Sequence, residues 1–428
     1  MKLGIALLLN ALLLLTLIWW LRREYRQAVP TLRRWLLPAL ALRVAAGLLP
    51  HGLDSAFALH WGQSLTAQFW ARPDTAWALW QGHQVSGVRG TWNVYEWSNT
   101  LYNVKIVGLL SVASCNQEWL TCCYLSILCF VGCWVLVRTL VRLFPAAPTG
   151  ASVLAFLLWP SVVWWASGVT KETLVLGSGA ALVALVLNAL YSLTAWSWWR
   201  RLGWCLLLLG VAWLHVRMRY FFALPLLGSL LALVGAVLVQ RRGWLRNGWF
   251  PLALAIISGV VVVGAVTVAV GGEPVSKAFV TSQLWQNYVH GLATSTGRPH
   301  LVYSGLQPTL GSMASYSPWA ATQTLVRPWL GESAVVRYVG VGLENLLLLG
   351  LLITAAVAVV RGRPGRLPPA LVLALLLYCV VLAGLTGLST PNLGTLHRYR
   401  TVLLPWLLWL LLQNDYARRL LRRLGLDG

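Results

Sequence analysis

In this chain of 428 residues, A, V, I, L, M, F, W, Y and C make up 58% and charged residues only 10%. That is far short of the charge, about a quarter of positions, that covers a water-soluble domain. The formal charge of +22 would suit nucleic acid, but the basic residues sit at the ends of apolar runs and not in a tract with interleaved aromatics, so no nucleic-acid partner is expected.

Met1–Trp20 resembles a signal peptide in having Lys2 ahead of an apolar stretch. Bulky Trp19, Trp20 and Leu21 stand where small residues would permit cleavage, so the segment reads as a retained first helix. Apolar runs at 3–20, 35–50, 119–137, 150–167, 173–193, 202–216, 220–239, 249–270, 336–360, 367–388 and 401–413 predict an all-α polytopic membrane helix bundle of about eleven transmembrane helices. Two long loops, 51–118 and 271–335, interrupt the runs, both rich in Trp, Tyr, Ser, Gln and His and longer than a connection requires. Within the first, SAFALHWGQSLTAQFW reads as an amphipathic helix, and 101–115, apolar but short and carrying Lys105, as a helix lying on the membrane interface. Repeats and low-complexity linkers are absent from the sequence, which points to a single integral membrane domain over 1–428.

Basic clusters alternate with these runs: Arg22, Arg23, Arg26, Arg33 and Arg34; Arg138 and Arg142; Arg200 and Arg201; Arg241, Arg242 and Arg246; Arg361, Arg363 and Arg366; and a tail with Arg418, Arg419, Arg422 and Arg423. The positive-inside rule puts all of them in the cytoplasm, Met1 and both long loops outside, and Gly428 inside. The 26 tryptophans, grouped at Trp19/Trp20, Trp164/Trp165 and Trp196/Trp198/Trp199, suit aromatic belts. Seven cysteines show no CxxC or His-paired spacing and read as small hydrophobes. HExxH, GxxxxGK[ST] and GxSxG are missing, which leaves metalloprotease, ATPase and serine-hydrolase chemistry without support. No cofactor or metal site is expected, and nothing in the residues decides for or against a divalent metal.

A few charges stand where charge is costly. Asp54 follows the second run at the outer interface, placed either to take a proton from a hydroxyl or to cap the helix after it. Lys171 and Glu172 end PSVVWWASGVTKE; Arg217 and Arg219 lie in HVRMRY, an expected outer turn; Arg398 and Arg400 lie in STPNLGTLHRYR. Five cations at one interface suit a phosphate or pyrophosphate, or else separate anchors to lipid headgroups. Arg43 and Glu344 fall inside predicted spans, where a lone charge costs about 2.5–3.5 kcal/mol, so they form a structural pair or line a pocket.

These places together resemble the bacterial GT-C-type membrane glycosyltransferases, family-39-like and grouped with dolichyl-phosphate-mannose-protein mannosyltransferases. The resemblance rests on Asp54, PSVVWWASGVTKE, VRPWLGE (Val326–Glu332) with GLENLLLL (Gly342–Leu349), and NLGTLHRYRTVLLPW (Asn392–Trp406). It implies an inverting enzyme of the bacterial plasma (inner) membrane, which moves a sugar from a polyprenyl-phosphate or polyprenyl-diphosphate carrier to a glycan, lipid or protein acceptor on the outer face. Asp54 would be the base, and Lys171, Arg217, Arg219, Arg398 and Arg400 the carrier-phosphate contacts. Arg43, Glu96, Glu172, Glu344 and His397 are supporting or substrate-pocket candidates. Many relatives carry two acids close together in the first loop, whereas Asp74 and Glu96 are distant from Asp54 in sequence. An O-antigen-type polymerase or ligase, or a lipid-linked glycan flippase, is the alternative.

Overall fold

The computed structural model describes residues 2–87, 90–93, 98–192, 197–243, 249–270 and 277–427, with backbone alone at 250, 260, 262–270 and 277–279. In chain order the helices are α1 (Lys2–Gln27), α2 (Pro30–Arg33), α3 (Leu36–Gly47), α4 (Leu53–Ala71), α5 (Ala76–Gln81), α6 (Asn99–Ser114), α7 (Glu118–Leu143), α8 (Thr149–Val153), α9 (Pro160–Trp165) and α10 (Lys171–Tyr191). They continue with α11 (Trp198–Arg241), α12 (Trp249–Val270), α13 (Lys277–Ala293), α14 (Leu310–Val326), α15 (Val336–Val360), α16 (Pro369–Ser389), α17 (Leu393–Arg400), α18 (Leu404–Leu411) and α19 (Asp415–Arg423). Between α5 and α6 lies an antiparallel hairpin, β1 (Gln84–Gly87) and β2 (Gly90–Asn93), in which Val85 pairs with Trp92. Helix starts follow local chemistry: Ser98, Thr309, Asn392 and Asn414 accept backbone N–H bonds at N-caps, and prolines open α2, α9 and α16.

Among the described residues, six helices are long and apolar enough to cross a membrane: α1, α7, α10, α11, α15 and α16. The chain is therefore an all-helical membrane protein. The expected run 150–167 is divided by a π-helical turn at Leu154–Leu158 and by Pro160, which cannot donate to a preceding turn, and 401–413 holds the eight-residue α18. Runs 202–216 and 220–239 are joined in α11, whose only non-helical residue is Arg219, inside the segment expected to form an outer turn. Run 35–50 contains the 12-residue α3, and 249–270 corresponds to α12.

The chain divides into two compact units. Unit 1 comprises Met1–Thr139, Phe156–Leu185 and Thr194–Tyr220; unit 2 comprises Leu140–Ala155, Val186–Leu193 and Phe221–Gly428. In unit 1, α7 and α10 approach through glycines: a Cβ on Gly132 would lie 2.2 Å from the Gly177 carbonyl oxygen. Small residues allow such backbone contact where lipid supplies no hydrophobic drive between helices. Gly132→Ala is therefore expected to lower stability by about 1–3 kcal/mol, measured as a lower melting temperature in detergent, despite the higher helix propensity of Ala. Glu24 on α1, 2% exposed, accepts from Arg138 at 2.8 Å and Trp134 at 3.0 Å on α7, so its charge enters the bundle already paired. The expected interfacial helix is α6; it packs on α4, where Thr66 Oγ1 donates to the Gly108 carbonyl at 2.6 Å, and on α1, where Asn10 donates to Ala113 at 2.7 Å.

In unit 2 much of the second long loop is helical and folded onto α16. A Cβ on Gly387 would meet the Ala320 carbonyl of α14 at 2.3 Å, and Thr324 Oγ1 donates to Ala383 at 2.9 Å. Tyr288 and Tyr303 are buried beside Leu284, Leu301 and Leu393, with the Tyr303 hydroxyl donating to the Gly387 carbonyl at 3.2 Å.

Candidate functional site

The first site grows from the junction of α3 and α4. Gly47 lies against Gly168, whose φ of +66° and close neighbours both favour glycine: a Cβ on Gly47 would stand 2.9 Å from the Gly168 nitrogen. Ser126 of α7 accepts from that nitrogen at 2.9 Å, and His51 Nε2 lies 2.9 Å from the Trp164 carbonyl. These contacts tie the start of α4 to the segment ahead of α10. Asp54, exposed in the first turn of α4, and Lys171, the first residue of α10, therefore lie at the same end of unit 1. Gly52 is the N-cap of α4, with φ +90°, so the capping alternative for Asp54 does not describe the helix that forms.

Lys171 and Glu172 are neighbours on a helix and so diverge. Lys171 Nζ donates to Asn99 Oδ1 at 2.9 Å and Thr100 Oγ1 at 2.6 Å, on the first turn of α6. Glu172, fully buried, pairs with Arg219 Nη2 at 2.8 Å, at the break in α11. Arg217, two residues earlier, places its guanidinium 5.4 Å from the Tyr102 ring, which meets the edge of Trp213. Along α6, Asn99, Tyr102 and Lys105 recur at the three-residue spacing that shares a face. Burial, and then the charge of Arg217, lower the pKa of Lys105; burial raises the Tyr102 phenol to about 12 against the pull of the same guanidinium. Arg217 thus stands at Tyr102 and acts on Lys105, which lies 5.9 Å from the Trp80 ring, while Lys171 holds the first turn of α6 and the Glu172–Arg219 pair the break in α11.

The remaining expected residues fall elsewhere. Arg43, expected either to pair with Glu344 or to line a pocket, instead donates its guanidinium to the carbonyls of Ala166 and Phe156, each at 2.8 Å, and lies 3.4 Å from Cys129 Sγ. These are carbonyls that the broken region around α9 leaves without a helical partner, so the positive charge is solvated by backbone. Glu344, in unit 2, instead exerts its charge on Arg400.

Arg400 is 1% exposed; its Nη1 reaches the carbonyls of Thr324, Leu325 and Arg327 at 3.3–3.4 Å and its Nη2 reaches His397 Nδ1 at 3.1 Å. It closes the C-terminus of α14 as a structural cation. Burial lowers its pKa to about 10, and burial with the charges of Arg400 and Arg337 holds His397 well below its usual value. Arg398, half-buried, lies beside Tyr399 at 5.9 Å. Glu96 lies outside the described residues, and Asp74 is exposed in the turn Pro73–Thr75. Asn99, Thr100 and Tyr102 were not singled out from sequence; Lys105, a cation in an apolar segment, was the one signal pointing to their face of α6.

The fold and this site define a helical membrane protein with a cluster of cations and a tyrosine at one end of its first unit. No family model matches the chain, and no curated protein and no solved structure matches it.

Proposed function

We propose that the chain is a GT-C-type, family-39-like glycosyltransferase of the bacterial plasma membrane. It would have about eleven spans, its N-terminus and long loops outside and its C-terminus in the cytoplasm. The donor is a sugar on polyprenyl phosphate or diphosphate, and the acceptor is a hydroxyl of a glycan, lipid or protein. In the step, Asp54 takes the proton of the acceptor hydroxyl while the hydroxyl oxygen bonds the anomeric carbon from the face opposite the carrier. The anomeric carbon–phosphate oxygen bond breaks, and its electron pair leaves on the carrier phosphate. Cations at that phosphate stabilise the developing charge, so no nucleotide is required.

The observation that carries this reading is that Lys171 meets the first turn of α6 and Arg217 meets Tyr102 of the same helix, at the end of unit 1 that also holds Asp54. Arg219 acts by holding Glu172, and Arg400 by closing α14; Lys171, Arg217 and Arg398 remain the proposed phosphate contacts. The test is release of polyprenyl phosphate by the purified full chain from a polyprenyl-linked donor pool. Arg217→Gln and Lys171→Gln are each expected to weaken carrier binding about tenfold to a hundredfold, the value of a charge-assisted hydrogen bond, with melting temperature retained. Unchanged carrier affinity in both variants would overturn the site.

A further inference from the structure

α15 ends its apolar stretch at Val360, and the chain passes Arg361, Arg363 and Arg366 before α16 opens at Pro369. Both helices are long and apolar enough to cross a membrane, so this connection lies where a span ends. Gly362 and Gly365 have φ of +69° and +106°, and a Cβ on Gly365 would stand 2.8 Å from the Gln413 carbonyl. The connection is therefore laid directly on the residues leading into α19. Asn414 caps that helix, accepting from Tyr416 N at 3.0 Å and Ala417 N at 2.9 Å.

Tyr416 is the meeting point. Its hydroxyl accepts from Arg361 Nη1 at 3.3 Å, and the Arg419 guanidinium lies 6.0 Å from its ring centre. The hydrogen bond from Arg361, with the charges of Arg361, Arg363 and Arg419, lowers the pKa of this half-buried phenol. On α19, Ala417 and Leu421 are buried while Arg419, Arg422 and Arg423 are exposed, with Leu420 at 47% exposure between them and the C-cap Leu424 at 59%. The acids nearby are Asp415, in the first turn of α19, and Asp427, whose Oδ1 accepts from the Thr149 nitrogen at 2.9 Å.

We propose that Arg361, Arg363 and Arg419 around Tyr416 form a binding site for the phosphate of an anionic phospholipid, with Leu420 and Leu424 against its acyl chains. Guanidinium forks match phosphate oxygens, and an amphipathic helix with leucines between arginines sits in the headgroup layer. The exposed leucines favour a lipid over a soluble phosphate, which offers them nothing. The site needs only that α15 and α16 cross a membrane, and stands apart from the glycosyl-transfer reading.

The experiment is native mass spectrometry of the full chain in detergent, titrated with dioleoyl phosphatidylglycerol, dioleoyl phosphatidylcholine or glycerol phosphate. Selective retention of phosphatidylglycerol is expected, weakened about a hundredfold in R361Q/R363Q/R419Q, at about fivefold per charge. The control R22Q/R23Q/R26Q, which removes the same charge elsewhere, is expected to bind as the parent. L420S/L424S should weaken the lipid and leave glycerol phosphate unaffected, and this variant keeps the test open if the triple variant does not fold. Equal loss in both triple variants, full binding in R361Q/R363Q/R419Q or unchanged lipid binding in L420S/L424S would overturn the proposal, as would glycerol phosphate binding as tightly as the lipid.

Discussion

Asp54→Asn is expected to reduce glycosyl transfer by about 10²–10⁴-fold while carrier binding and melting temperature stay near the parent values. The amide keeps the shape of the side chain and most of its hydrogen bonding but cannot take the acceptor proton. Asp54 occupies the first turn of α4 and Gly52 the cap, so Asp54→Ala removes a helix-dipole contribution of about 0.3–1 kcal/mol and not an N-cap. Transfer rate and thermal stability measured in the same detergent separate the two roles. An Asp54→Asn variant at full rate would remove Asp54 as the base, and attention would then pass to Glu96 and Asp74.

The second large effect concerns stability. Glu172 is wholly buried and Arg219 is 7% exposed, so Glu172→Ala leaves a guanidinium in an apolar surrounding. Loss of one partner of such a pair is expected to cost about 3–5 kcal/mol, seen as a large drop in melting temperature and in the yield of monodisperse protein. Arg219→Met should also destabilise, by removing the carboxylate's ion-pair partner. The double variant Glu172→Leu/Arg219→Met should be far less destabilised than the sum of the two, because it removes both charges together. Additive losses in that cycle would show that the pair contributes nothing as a pair. Because Arg219 holds Glu172, Arg217→Gln alone is a cleaner probe of carrier binding than replacement of both arginines.

The sequence by itself determined the membrane character, the helical class and most helix positions. Apolar runs at helical length are a local property, and bilayer thickness sets the length that matters. The apolar segment 101–115, expected as a helix, became α6. What sequence could not decide was which costly charge met which partner. Arg43 and Glu344 fall inside expected spans, so their need to be paired or solvated was legible, though any of several partners would satisfy it, whereas Arg219 and Arg400 read as cations of the outer face. Only the packing assigned Arg43 to the carbonyls near α9, Arg219 to Glu172 and Arg400 to the end of α14. The face of α6 that brings Asn99, Tyr102 and Lys105 to Lys171 and Arg217 was hidden for the same reason. Spacing on one helix shows which residues share a face, and what that face meets depends on contacts between segments far apart in the chain.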